Sequence, residues 1–212
     1  SNFVIQAGGF TFDFFAIPQI TPVETFDPIQ NEFDLADNSN VRGTLSMAQL
    51  GGDINSGTSQ WFVNVVDNLS LDAIPHTVFG RVIGTGMEIV DEINALNTFE
   101  LFEFFNENAL TDVPLNGFVR SSIGLNGTVS IDIDSDVVTG TDTAFTSSIP
   151  GPGAHIRIDG KLFTVVSIES DTQLTISVAH PTGVTDVGAS VEEPPDESHY
   201  VVFSDISKIL EP

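Results

Sequence analysis

The side chains of this 212-residue chain that could do chemistry are amides, aromatic rings, carboxylates and a few imidazoles. It contains no Cys, which excludes thiolate nucleophiles, disulfides and zinc–thiolate sites together. Ser, His and Asp are present, but no G-x-S-x-G elbow offers a serine to a base. Asp132, Asp134 and Asp136 mimic the opening of a calcium loop, yet Val137 stands where that loop needs Gly and Thr143 where it needs Glu. On a strand, a period of two would put these three carboxylates on one solvated face, so no metal site is expected. What remains lies in two stretches, FVIQAGGF at positions 3–10 and GTLSMAQLGGDINSGTSQWFVNVVDNLSLDAIPHTVFG at positions 43–80. Phe3, Met47 and Phe62 taken alone are core residues. Only their order with Gln6 and Gln60 raises a site above that reading.

Strands must position these groups. Phe3 to Phe10 is rich in β-forming residues before a Gly pair, and strands are expected near 44–49, 59–66 and 77–82. A Gly/Asn/Ser-rich loop joins the first two of these three, and a loop holding Leu71, Asp72, Pro75 and His76 precedes the third. Residues 13–32 carry three prolines and no period, which predicts a long surface loop. Met87, Val90, Ile93 and Leu96 fall at helical spacing after Gly84 and Gly86, which predicts one helix of about three turns. Residues 97–118 read as irregular, with a patch from Phe99 to Phe105 expected to pack back on the strands. From Val119 to His199 the chain becomes short alternating runs, with strands expected at 127–132, 135–140, 154–158, 162–168, 172–178 and 188–192. Asp159-Gly160 between two of them signals a tight hairpin. Residues 149–153 read as a loop and 192–197 as an exit linker.

The two chemistry-bearing stretches resemble the cyclophilin family of peptidyl-prolyl isomerases. Its usual blocks, of the type F-M-I-Q-G-G-x-F, L-S-M-A-N-A, G-S-Q-F-F and L-D-x-x-x-H-x-V-F-G, occur here in the same order. Ordered blocks at compatible spacing are a far more specific signal than one short motif. The resemblance covers residues 3–118, and Tyr200-Val-Val-Phe-Ser-Asp-Ile-Ser extends it over 199–208 as the family's closing strand. It implies an all-β fold: a cyclophilin-like antiparallel barrel formed by 1–118 and 199–212, with one retained helix. Residues 119–198 would be a small inserted β-domain, and their pattern resembles modules of bacteriophage tail and other virion proteins.

The resemblance also implies roles. Phe3, Phe62, Met47 and Leu71 would line or back a proline pocket. Gln6 would donate to the carbonyl before the proline, Ala48 and Gln49 would pair with substrate backbone, and Gln60 and His76 would border the groove. Gln49 stands where the family usually has Asn. Turning an X-Pro amide against its barrier of roughly 18–20 kcal/mol needs no nucleophile, cofactor or metal. It needs donors that suit the twisted amide better than the planar one. Two departures matter. Ser70 stands where many members carry a large aromatic, which opens one wall and weakens cyclosporin-like ligands. The family's essential Arg falls five positions before Phe3, with its first two strands and first helix, ahead of Ser1; Arg42 and Arg81 are the nearest substitutes in sequence.

Composition bounds the partners. Thirty acidic residues against six basic ones give a net charge of −24, which repels nucleic acid and anionic membrane surfaces. With 41% hydrophobic residues and a mean hydropathy of +0.16, the chain is globular. No apolar run reaches the roughly 18 residues of a membrane span. The acidic, Cys-free composition suits a protein exported to a bacterial periplasm or beyond. The expected partner is a proline-containing polypeptide. A second expectation follows from the unpaired closing strand: the chain's own cleaved N-terminal fragment, or a second copy in a homo-oligomer, fills the gap. Two function classes therefore stand side by side: a peptidyl-prolyl isomerase, or a non-catalytic structural or assembly protein that uses the scaffold and self-associates by strand exchange.

Overall fold

The computed structural model describes residues 3–12, 20–34, 38–105 and 110–201. They are predominantly β, the class expected from the sequence, and fall into two compact units. One lies within Ser1–Phe99 and Val113–Asn116; the other comprises Glu100–Asp112 and Gly117–Tyr200.

The first unit contains β1 (Val4–Ala7), β2 (Phe10–Phe12), β3 (Ile20–Pro22), β4 (Thr44–Met47), β5 (Trp61–Asn64), α1 (Ser70–Ala73), β6 (Val78–Arg81), α2 (Gly86–Asn94), β7 (Thr98–Phe99) and β8 (Val113–Pro114). Four strands form an antiparallel sheet in the order β1-β5-β4-β6. Its register sets Gln6 across from Phe62 and Phe62 across from Ser46, while Ile5, Val63 and Leu45 stand in line on the opposite face. Helix α2 covers that opposite face, with Val90 packed on Val63 and Val65 and with Ile5, Leu45, Trp61 and Met87 around them. The helix ends at Asn94, short of Leu96, where the Leu96 N–H turns to the Ile93 carbonyl at 3.1 Å, a tighter i→i−3 bond.

Three expectations about this stretch need correction. Residues 13–32 are not loop throughout: Ile20–Pro22 pairs with Phe10–Phe12, tied by the Thr11 and Thr21 hydroxyls at 2.9 Å. The loop before His76 contains the short helix α1. Residues 97–118, read as irregular, contain the β7–β8 pair and a helical turn, α3 (Phe102–Phe105). Phe104 of that turn belongs to the second unit, where it is buried and meets the His155 ring edge-on at 5.2 Å.

The second unit is one eight-stranded antiparallel sheet. Its strands are β9 (Ser121–Gly124), β10 (Thr128–Ile131), β11 (Ser135–Thr141), β12 (His155–Ile158), β13 (Lys161–Ser170), β14 (Gln173–His180), β15 (Val184–Val187) and β16 (Ala189–Glu193). A turn of helix, α4 (Phe145–Ser148), drops Phe145 into a core with Val138, Ile156, Ile158, Leu174 and Ile176. The β12–β13 hairpin turns on Asp159 and Gly160 at φ 49° and 76°, the positive values a type I′ turn requires. β9 and β15 were not foreseen, since Ser121–Gly124 and Val184–Val187 hold too few apolar residues to register as a run. Asp132 and Asp134 lie in a turn and Asp136 in β11, so the three carboxylates do not share a strand face. Of the expected closing strand, residues 202–208 lie outside the described residues; Tyr200 and Val201 follow a 3₁₀ turn capped by Asp196.

Candidate functional site

The side chains of Gln6 and Gln60 meet on the sheet face that Phe62 shares. Gln6 is the direct cross-strand partner of Phe62, so Gln60, two residues before Phe62, is its diagonal neighbour. Gln6 Nε2 donates to Gln60 Oε1 at 2.6 Å. An amide nitrogen carries two donors, and one N–H of Gln6 remains for an incoming carbonyl. Both amides are exposed, whereas Phe62 is buried to 4% exposure. β1 can end beside them because Gly8 turns at φ +81°, where a Cβ would sit 2.3 Å from the Ser59 carbonyl.

The His76 ring packs edge-on against Phe62, with centroids 5.7 Å apart. His76 Nδ1 donates to the Ile74 carbonyl, and the His76 N–H donates to Leu71 O at 3.2 Å. This histidine is therefore held by backbone in its loop, which orients the ring against Phe62. Leu71 is half-buried on α1, and Ser70, which opens that helix, is exposed.

A buried polar network that sequence reasoning missed fastens this loop to the sheet. Asn40, Thr44, Ser46 and Asn64 are fully buried. Asn40 Oδ1 accepts from Ser46 Oγ at 2.6 Å, while Asn40 Nδ2 donates to Asp72 Oδ1 at 2.9 Å and to His76 O at 3.1 Å. Asn64 Nδ2 donates to Thr44 Oγ1 at 2.8 Å, and Asn64 Oδ1 accepts from Asn68 Nδ2 at 2.7 Å. Asn68 Nδ2 also reaches the Phe3 carbonyl at 2.9 Å, which ties the residue ahead of β1 to the same lattice. Burial pushes the Asp72 carboxyl up, but hydrogen bonds from Ser39 and from the backbone and side chain of Asn40 outweigh it and hold its pKa below the ordinary value. The only sequence signal for this network was the density of Asn, Ser and Thr at inward strand positions.

Met47 stands across from Trp61, and so on the face opposite Phe62. It backs the sheet instead of joining Gln6 and Gln60. The Ala48 N–H donates to Gln60 O at 3.0 Å, so Ala48 has its carbonyl to offer a peptide. Gln49 Oε1 accepts a 3.4 Å contact from Asn31 Nδ2, the group that also donates to Pro75 O at 2.6 Å. Asn31 thus joins the Gln49 loop to the His76 loop. Phe3 is 46% exposed. Of the two arginines considered as substitutes, Arg42 is committed to Asp91 at 2.7 Å and to the Val65 carbonyl, and Arg81 lies at the far end of β6, opposite Thr44. Among the described residues, no three His, Cys, Asp or Glu side chains cluster to hold a metal ion. Among them too, no helix is long and apolar enough to cross a membrane.

Comparison with known proteins gives one consistent result. The family model for cyclophilin-type peptidyl-prolyl cis-trans isomerases matches residues 1–117. Over 103 residues the chain is 40% identical to peptidyl-prolyl cis-trans isomerase A of Dickeya dadantii, covering 46% of this chain and 48% of that protein. It is 43% identical over 98 residues to a peptidyl-prolyl cis-trans isomerase of Acinetobacter baylyi (43% and 46% covered). It is 40% identical over 107 residues to peptidyl-prolyl cis-trans isomerase cyp18 of Streptomyces antibioticus (46% and 58% covered). The chain spans about half the length of the curated relatives it matches.

Proposed function

Because this chain belongs to the cyclophilin-type peptidyl-prolyl isomerase family, we propose that its first unit binds X-Pro segments of polypeptides and lowers the barrier to turning them. The observation that carries this reading is the Gln6–Gln60 amide pair on the face of Phe62, with one Gln6 N–H left to donate. A donor held in place before the substrate arrives favours the twisted amide, whose carbonyl gains charge as resonance is lost. The apolar floor would be Phe62 with Phe3 and Leu71, the groove would be bordered by His76, and Ala48 and Gln49 would meet the peptide backbone. A protease-coupled assay on an Ala-Pro peptide tests it: isomerisation should be measurable and lost in Phe62→Ala. Full activity in that variant would dismiss the groove.

The other reading, a non-catalytic assembly scaffold, draws on two observations. Arg42 is occupied by Asp91, so the guanidinium that the family uses at the prolyl nitrogen is not supplied from there. The sheet's outer strands, β1 and β6, have free edges among the described residues, and Phe79 on β6 is 53% exposed. An open edge with apolar surface recruits strands from another copy or a retained fragment. Light scattering after size exclusion separates the readings: a stable monomer that turns over Ala-Pro peptides supports the enzyme, and an inactive oligomer supports the scaffold. On either reading, the second unit, which takes in Glu100–Asp112 as well as the expected residues 119–198, would act as a module of its own, and the acidic, Cys-free composition suits an exported bacterial protein that binds neither nucleic acid nor anionic lipid.

A further inference from the structure

At the end of β4, where Met47 and Gln49 line it, the first unit holds a cleft of about 80 Å³. Its walls include Ile29, Met47, Ile54 and Phe79, and Gln49 and Glu32 also line it. Three of these apolar residues are well exposed: Ile29 at 53%, Ile54 at 44% and Phe79 at 53%. Backbone pins hold the slot in shape. Ile29 N donates to Gly57 O at 2.9 Å, Asn31 N donates to Asn55 Oδ1 at 2.8 Å, and Glu32 N donates to Thr77 Oγ1 at 2.9 Å. The segment 29–32 is therefore fastened to the loops on both sides of it.

Four apolar side chains, neutral polar groups from Gln30, Asn31, Gln49 and Thr77, and a single carboxylate among the lining residues suit a hydrocarbon stem that ends in a cation. The charge around the cleft favours the same occupant. Glu32, which lines it, and Asp53, the chain neighbour of Ile54, form no ion pair among the described residues, while Arg42 is bound to Asp91 and Arg81 lies at the distant end of β6. A net charge of −24 makes the surrounding field one that attracts cationic chains. Gln49 belongs to both places: it lines the cleft, and it follows Ala48, whose N–H is bound to Gln60 O. A peptide laid along Ala48 and Gln49 would bring a side chain near the proline to the mouth of the slot.

We propose that this unit selects proline-containing polypeptides that carry a lysine or arginine near the proline, with the stem between Ile29, Ile54 and Phe79 and the charge beside Glu32. The proposal rests on the reading of Gln6, Gln60 and Phe62 as the X-Pro groove. The test uses the full chain and hexapeptides centred on Ala-Pro, with Lys, norleucine or Glu placed in turn at the two positions on either side. At one of these positions Lys should bind about fivefold more tightly than norleucine, the scale of one partly exposed charge pair. Glu should bind more weakly than both. The preference for Lys should shrink in high salt, and it should fall toward unity in Glu32→Gln and reverse toward Glu in Glu32→Lys. Neutral Ala-Pro peptides that bind while Lys and norleucine bind equally at every position would overturn this proposal and leave the groove standing. A Lys preference unchanged in both Glu32 variants would overturn it as well. Failure of every peptide to bind would overturn the groove and the cleft together.

Discussion

Gln60 Oε1 accepts a hydrogen bond from Gln6 Nε2 at 2.6 Å, across the pair of strands in which Gln6 faces Phe62. This bond fixes which end of the Gln6 amide points forward. With its nitrogen anchored on Gln60, Gln6 presents an N–H, not a carbonyl, to the space over Phe62. An unanchored amide would sample both orientations and lose part of its donor character.

Gln60→Ala should therefore lower kcat/KM on an Ala-Pro peptide by roughly tenfold, about 1.4 kcal/mol of transition-state stabilisation. Gln60→Glu, which keeps an acceptor at the same reach, should recover most of that loss. Equal activity in wild type and Gln60→Ala would show that the pair does not orient Gln6.

Asn68 bridges the Asn64 side chain and the Phe3 carbonyl from a nearly buried position. Removing it strands the buried Asn64 Oδ1, a loss of about 1–3 kcal/mol, and leaves the Phe3 carbonyl only the Val65 N–H at 3.2 Å. Urea unfolding of Asn68→Ala should show a stability loss of about that size, with isomerisation falling as Phe3 loosens. Asn68→Asp keeps the volume without the amide donor and should fare no better.

Asp72 gives the first unit an acid sensitivity. Its folded pKa lies below the ordinary carboxylate value, so the unfolded state takes up the proton first as pH falls. The stability it contributes is present above the unfolded value near 3.8 and disappears as pH drops through the folded value. Asp72→Asn should lower stability at pH 7 and flatten the fall below pH 4, read by denaturant midpoints of the two proteins across that range.

His155 does the same for the second unit at milder pH. Burial among Phe104 and its neighbours lowers its pKa, and the hydrogen bond to the Phe104 carbonyl offsets this only in part. The unfolded histidine binds a proton near 6.5 and the folded one only below that. Stability is thus complete above pH 6.5 and declines as pH falls toward the folded value. His155→Phe should reduce that decline between pH 7 and 5, measured by thermal unfolding of the full chain.

The sequence by itself determined the family and the β class, and it named the candidate groove residues. Those follow from local order: blocks such as FVIQAGGF and LDAIPHTVFG fix which residues lie beside which along a strand, and Asp159-Gly160 fixes a hairpin through its own backbone preferences. Alternation alone did not reveal that Met47 lies behind the sheet and Phe62 in front, because facing depends on register with β5. Nor could it foresee β3, β9 and β15, which are too short to carry a pattern and exist because a partner strand satisfies their backbone groups. The lattice of Asn40, Asn64, Asn68 and Asp72 joins residues up to 65 positions apart, as Phe3 and Asn68 are. Asn, Ser and Asp read as loop and surface residues in a sequence. Only when folding withdraws them from water must they pair with one another, and that requirement, set by tertiary structure, decides where His76 and Phe3 stand.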